Sequence, residues 1–310
     1  MEIEDLDIPR AWEQALQQDL RGVLMVIGAP DAGKSTFAQY LFRRLCLNGL
    51  RTAYLDGDPG QSRLGPPTTI TTALNPENQT GFPPTGQWRR WFVGATSPRG
   101  HMLSLVVGTA RLAEAARRMG AVCVVHDTCG LVDPSSGGLA LKLAKIDLLR
   151  PAVVFAIQAD GELAPLLAPL RRSRRVRLVE LPASPARRPR DMSDRQAYRR
   201  DRFASYFAPA RLLEIDWTRR AVLPRPFFQP HQLVALEDRR GFTRGLGLVH
   251  SFDIPARQVT LLTPLDSLSG IETLHLGDLL VDPQTFRDSP LHFPPMDSSR
   301  PSLRPNTSGK

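Results

Sequence analysis

Residues 28–36 read Gly-Ala-Pro-Asp-Ala-Gly-Lys-Ser-Thr, the spacing G-x-x-x-x-G-K-S of a loop that wraps phosphate groups. Gly28 and Gly33 permit backbone angles that a Cβ obstructs, so the loop through Ala29, Pro30, Asp31 and Ala32 can turn N–H groups inward onto phosphate oxygens. Lys34 supplies a mobile charge for the β- and γ-phosphates, Ser35 a ligand for Mg²⁺, and Thr36 closes the cradle. This is the chemistry of a nucleoside triphosphate site, and the open question is where the γ-phosphate goes.

Carboxylates come next. Asp56-Gly57-Asp58-Pro59-Gly60-Gln61 carries two acids at alternate positions, which face one side wherever the chain stays extended. They read either as chemistry at the end of a strand or as turn residues that satisfy loop backbone. Asp127, in Asp127-Thr128-Cys129-Gly130 after an apolar run, has the context of a Walker B-like sensor whose carboxylate reaches Mg²⁺ directly or through water. Thr96 and Ser97 precede a helical pattern over about 102–119 and serve either as N-caps or as ligands to a phosphate.

These groups need strands that end together. The apolar run 23–27 predicts a strand, 37–48 a helix whose positive N-terminal end faces the phosphates, and 51–55 a second strand. Strands are further predicted over 121–126, 153–157 and 176–181, with helices over 138–150, bearing Lys142 and Lys145, and 160–170. Strands and helices in alternation indicate an α/β fold, a P-loop doubly wound, mostly parallel sheet. A helix over 8–20, with Trp12, Leu16 and Leu20 on one face, is expected to cover a sheet edge. Beyond Pro209, short strands over 212–215, 233–236, 245–249 and 258–262 predict a small β-barrel-like domain. The expected organisation is an N-terminal helical segment (1–22), a P-loop domain (23–208), the β domain (209–290) and a disordered tail (291–310).

The 310 residues carry a net charge of +9 and a pI of about 10.2, which suits a polyanionic partner. No apolar run approaches the roughly 18 residues of a membrane span, so no membrane association is expected. The acidic N-terminus argues against a signal peptide, and Cys46, Cys123 and Cys129 read as reduced core residues, so the expected location is cytoplasmic. Arginine is concentrated in Arg171, Arg172, Arg174, Arg175 and Arg177, in Arg187, Arg188 and Arg190, and in Arg195, Arg199, Arg200 and Arg202 on a helix ending at Phe207. Its planar fork suits phosphate, with a solvated basic face as the plainer alternative.

Taken together, the phosphate loop, Asp56 to Gln61 with Gly65-Pro66-Pro67, residues 92–98, Asp127 to Leu131, Lys142 to Ile146 and the arginine helix resemble the Clp1/Grc3 family of polynucleotide 5′-hydroxyl kinases, in its compact archaeal form. The resemblance implies transfer of the γ-phosphate of ATP, with Mg²⁺, to the 5′-hydroxyl end of RNA or DNA. It implies that Asp58 accepts the hydroxyl proton and that Asp56 and Gln61 help place Mg²⁺ and the strand end. It further implies a clasp at Thr96 and Ser97 for the terminal nucleotide, and a lid over about 187–207 whose Arg195, Arg199 and Arg202 close over phosphates. Catalysis would thus fall to Lys34, Asp58, Arg195 and Arg199. Substrate contact would fall to Gln61, Thr96, Ser97 and Arg202, and metal binding to Ser35, Asp56 and Asp127. The clasp departs from an asparagine-containing version, and with the loop starting at Gly28 the N-terminal β domain of larger eukaryotic relatives is expected to be absent. The resemblance assigns no protein partner. Two rivals are a nucleotide-bound, non-catalytic RNA-processing scaffold and a metallochaperone-like NTPase switch; against the latter, the chain has no N-K-x-D or T-K-x-D guanine-reading element.

Overall fold

A computed structural model describes residues 9–16, 20–173, 175–184 and 189–291. The expectations for residues 1–8 and 17–19, for Arg174, Arg187 and Arg188, and for the tail from 292 onward lie outside the described residues.

The first half runs α1 (Arg10–Ala15), β1 (Gly22–Gly28), α2 (Lys34–Leu47), β2 (Thr52–Gly57), β3 (Thr69–Leu74), β4 (Trp88–Phe92), α3 (Met102–Arg118) and β5 (Cys123–Thr128). Then follow α4 (Gly138–Leu149), β6 (Val153–Gln158), α5 (Ala164–Ser173), β7 (Arg177–Pro182) and α6 (Met192–Phe207). These build a seven-stranded sheet of order β4-β3-β2-β5-β1-β6-β7. Strands β2, β5, β1, β6 and β7 are parallel, and β3 and β4 add an antiparallel edge.

Burial on both faces explains the unbroken apolar sequence of β1. On one face Trp12, Phe37, Phe42, Tyr54 and Phe155 form a core under α1 and α2. On the other, Leu105, Leu112 and Ala113 of α3 pack on Val23, Leu55 and Val124, while α4 and α5 cover Met25, Ile27 and Val154. Register sets the function. Gly28 lies opposite Ile157, Val26 opposite Asp127, and Asp56 opposite Asp127, so the phosphate loop and two carboxylates emerge at one carboxyl edge.

Three expectations shift. The described N-terminal helix is only Arg10–Ala15, and Trp12 is the residue that binds it down. Its ring packs edge-on against Phe37 at 5.1 Å, and its Nε1–H donates to the carbonyl of Pro182, at the end of edge strand β7, at 3.2 Å. Helix α5 starts at Ala164 rather than 160, because the Glu162 carboxylate accepts the N–H groups of Ala159 and Asp160 and holds that stretch as a turn. The third is β3, a strand the sequence reading did not include.

The C-terminal part holds β8 (Arg211–Asp216), β9 (Ala221–Leu223), β10 (Gln232–Glu237), β11 (Thr243–Asp253), β12 (Gln258–Thr263), β13 (Thr273–Val281) and β14 (Asp288–Pro290). They form a largely antiparallel sheet of order β14-β13-β10-β11-β12-β8, with β9 beside β13. One face gathers Ile215, Trp217, Val234, Val249 and Leu261. The other packs Leu233, Leu246 and Leu279 against Phe203 and Phe207 of α6. Helix α6 therefore belongs to both halves. Among the described residues no helix is long and apolar enough to cross a membrane.

Candidate active site

The phosphate loop ends at Gly33, whose φ of 94° starts α2 from a left-handed residue that only glycine adopts without strain. Trp12 lies beneath it, with ring carbons 3.7 Å from where a Cβ would stand. Lys34 is buried, and its Nζ donates to the carbonyl of Ala29 within the same loop. Burial pulls its ammonium below the ordinary lysine range, opposed by the Asp127 charge and deepened by Lys142. A cation already held at a cost by the fold gains by meeting phosphate.

Asp127 is fully buried. Its Oδ2 accepts the Tyr54 hydroxyl at 2.9 Å, while its Oδ1 has no hydrogen-bond partner. Burial raises its pKa, and hydrogen bonding from Ser35 and the charge of Lys34 work against that rise. An orphaned buried carboxylate oxygen beside a serine hydroxyl is a donor set suited to a hydrated Mg²⁺. Asp56 is occupied differently. Its Oδ2 accepts the Ser62 hydroxyl at 3.0 Å and the N–H groups of Arg63 and Leu64 at 2.6 and 2.9 Å. Burial is the largest influence on it and, with repulsion from Asp127 and Asp58, outweighs those donors and pushes its pKa up to about 6. It thus does the loop-satisfying work that was the plainer reading of this pair.

Asp58 lies just past the end of β2, half-buried, and its Oδ1 accepts the N–H groups of Gly60 and Gln61 at 2.9 and 3.1 Å. Those bonds fix the carboxylate without enclosing it. Gly60 has to be small: a Cβ there would stand 2.4 Å from the Thr96 carbonyl oxygen, so the Thr96 loop rests directly on the Asp58 turn. Neither Thr96 nor Ser97 caps α3. The N-cap is His101, and the Ser97 hydroxyl instead accepts the Arg99 N–H at 3.2 Å. The loop is also tied to the C-terminal sheet, since His101 Nε2 meets Asp278 at 2.9 Å and the Asp278 N–H donates to Gly94.

Helix α6 opens with a capping box between Asp191 and Asp194. Arg195 pairs with Asp31 of the phosphate loop at 2.7 Å, and Arg190 bonds both Asp31 and Gln61. Burial would raise the Asp31 pKa, but the Arg190 N–H and the two guanidinium groups hold it below the usual range. Tyr198 donates to the Ser62 carbonyl at 2.8 Å, and Arg202 to the carbonyls of Arg63 and Gly65. Arg199 does not join this group; both oxygens of Asp288 on β14 engage it at 3.1 Å. The structure thus gathers Lys34, Ser35, Asp56, Asp58, Gln61, Thr96, Asp127 and Arg195, and leaves Arg199 outside.

The family model for the P-loop of the mRNA cleavage and polyadenylation factor CLP1 matches residues 28–209. The chain belongs to the Clp1 P-loop family. A polyribonucleotide 5′-hydroxyl-kinase of Pyrococcus abyssi is 25% identical, with 83% of this chain and 87% of that one covered. One of Thermococcus kodakarensis is 30% identical, over 83% and 88%. Among solved structures, wild-type Clp1p in a Clp1p–Pcf11p complex superposes with a TM-score of 0.65 at 13% identity, covering 87% of this chain and 77% of that one, a likeness of fold.

This Clp1-family chain also holds two lysines whose role the sequence left unassigned. Lys142 and Lys145 of α4 are completely buried below the phosphate loop. Lys142 Nζ donates to Thr128 Oγ1 at 2.8 Å and to the Cys129 carbonyl. Lys145 Nζ reaches His126 Nε2 at 3.5 Å, while His126 Nδ1 faces the Leu55 carbonyl at 3.4 Å, contacts that suit the neutral Nδ1–H tautomer. Burial, with the Lys145 charge second, drives the His126 pKa well below its ordinary value. Lys145 itself is pulled down to about 8 by burial, with Cys129 and Asp58 opposing and Lys142 adding to the fall. Their i, i+3 spacing put both on one helix face, the signal by which they could have been found.

Proposed function

We propose that this chain is an ATP-dependent polynucleotide 5′-hydroxyl-kinase acting on a strand end, with RNA favoured by the names of its relatives. The observation that carries the reading is Asp58. Its carboxylate is fixed by two backbone N–H groups at the open end of β2, and its charge acts on the ammonium of Lys34. That arrangement suits a general base beside a transferring phosphoryl group.

In this reading the 5′-hydroxyl gives its proton to Asp58 as its oxygen bonds the γ-phosphorus, and the bond to the β-phosphate oxygen breaks to release ADP. Lys34 leaves the Ala29 carbonyl to neutralise the phosphates, and Arg195, delivered by α6, adds positive charge at the γ-phosphate side. Gln61 and the Thr96–Ser97 loop steer the strand end onto Asp58. Ser35 and Asp127 hold Mg²⁺, which when bound neutralises charge on the β- and γ-phosphate oxygens. Asp56 shapes the 62–64 loop beside that metal. Arg199 serves the α6–β14 joint rather than the phosphates. The location that fits reduced cysteines and an ATP substrate is the cytoplasm; no disulfide joins Cys46, Cys123 and Cys129. The test is incubation with γ-labelled ATP and a 5′-hydroxyl oligonucleotide, with and without Mg²⁺. Labelled strand that needs the metal supports the reading; ATP binding with no labelled strand would leave the idle scaffold.

A further inference from the structure

Most arginines around the site have a carboxylate partner: Arg190 and Arg195 pair with Asp31, Arg199 with Asp288, Arg171 with Glu180. Arg90 on β4 and Arg202 on α6 are exceptions. Among the described residues neither forms an ion pair with an acid. Arg202 spans the carbonyls of Arg63 and Gly65 with one nitrogen, and its Nε is buried with no partner. Arg90 has a single hydrogen bond, to Thr71 Oγ1 at a long 3.4 Å, and its Nε lies 3.0 Å from where a Cβ on Gly65 would stand. The two guanidiniums therefore flank the same short loop. Burial lowers the Arg90 pKa, and the Arg202 charge lowers it further. Holding two like charges together without an acid is unfavourable unless an anion completes the site.

A second observation says what kind of anion. The Arg90 guanidinium lies 4.8 Å from the ring centroid of Trp88, and that indole is 40% exposed at the outer end of the same edge strand. A cationic cleft leading to an exposed aromatic is the pairing that binds single-stranded nucleic acid, backbone on arginine and base on ring. Loop 62–65, between these arginines, is the one held by Asp56 and Tyr198, so the cleft opens out of the candidate active site.

We propose that Arg90 and Arg202 form a subsite for an internucleotide phosphate of the substrate strand, with Trp88 stacking a base beyond it. The proposal rests on the polynucleotide-kinase reading. It makes the protein a reader of strand length, for which a lone nucleoside 3′-phosphate is a poorer substrate than a short oligonucleotide.

The experiment measures binding of single-stranded RNA of one, two, four and eight nucleotides with 5′-hydroxyl ends, by tryptophan fluorescence and by anisotropy of a 3′-labelled strand, across a salt series. For the native protein, affinity should rise with length up to about four nucleotides. In Arg90→Gln/Arg202→Gln that rise should disappear, and the log–log salt slope should flatten by about 1.4, from about 0.7 for each lost single-strand phosphate contact. Arg90→Lys, which keeps the charge, should retain most of its slope, separating charge from disturbed packing. Trp88→Ala should weaken the longer strands by about tenfold or more, the order expected for one stacked base. An unchanged salt slope in the double variant, or equal weakening at every length, overturns the subsite. Label transfer by the native protein is scored separately: absent transfer with length-dependent binding intact overturns the kinase reading and leaves the subsite standing.

Discussion

Replacing Lys145 by Met removes a charge from a place where the fold tolerates it poorly. The side chain is wholly enclosed, its nearest polar contact is a neutral imidazole nitrogen at 3.5 Å, and its pKa falls from 10.5 to about 8. A difference of roughly 2.5 pKa units corresponds to about 3 kcal/mol, at about 1.4 kcal/mol per unit. The sign follows from proton counting. Between pH 8 and 10.5 the unfolded chain holds a proton on this lysine that the folded chain has given up, so stability contributed by this group rises with pH in that window. Below pH 8 the folded protein carries the charge at full cost. Lys145→Met, of similar length and apolar, should therefore be more stable than the native protein at pH 7 by up to about 3 kcal/mol, with the gap closing between pH 8 and 10.5. Denaturant unfolding of both proteins at pH 7, 8.5 and 10 measures that gap, and other titrating groups cancel in the difference. A gap that does not change with pH, or a variant less stable at pH 7, would refute the reasoning. Label transfer by Lys145→Met should nevertheless fall, because the same charge acts on Asp58.

Lys34→Ala should abolish label transfer while far-ultraviolet circular dichroism stays native, since its side chain bonds only within its own loop. Asp58→Asn keeps shape and hydrogen-bonding reach but cannot take a proton. Single-turnover transfer should drop by about 10²–10⁴ while ATP and strand affinities change less than about tenfold. Asp127→Asn should raise the Mg²⁺ concentration needed for half-maximal transfer, read from a metal titration at saturating ATP. Phe203→Ala, emptying a fully buried site between α6 and the C-terminal sheet, should cost about 3–5 kcal/mol in denaturant unfolding.

The central strands were legible because parallel strands buried on both faces must be apolar along their whole length, and 23–27 and 153–157 announce themselves that way. Strand β3 was not, because Thr69, Thr71 and Thr72 lie buried in it. Buried threonine is stable there only with partners such as the Pro66 carbonyl, which accepts the Thr69 hydroxyl, and a partner three residues back leaves no periodic trace. The motif acids were visible by type, but their division of labour was not. Asp56 and Asp58 look equivalent in sequence; one is enclosed by the Ser62–Leu64 loop and the other faces outward. The arginines were visible as a cluster, while the acids that occupy them, Asp31 and Asp288, lie far away along the chain. Arg90 stood outside every cluster and became notable only through Arg202 across the sheet edge.

Helix α6 has a consequence for how this protein comes apart. Its amino-terminal half is bonded to the phosphate loop and to the 62–65 loop, and its carboxyl-terminal Phe203 and Phe207 lie inside the second sheet's core. Melting the second sheet would strip that helix of its anchor and expose both rings. Melting the first would cut the ion pairs that hold the other end. Two sheets sharing one helix in this way make poor separate melting units, so heat or denaturant should meet one cooperative transition where the two-sheet architecture suggests two.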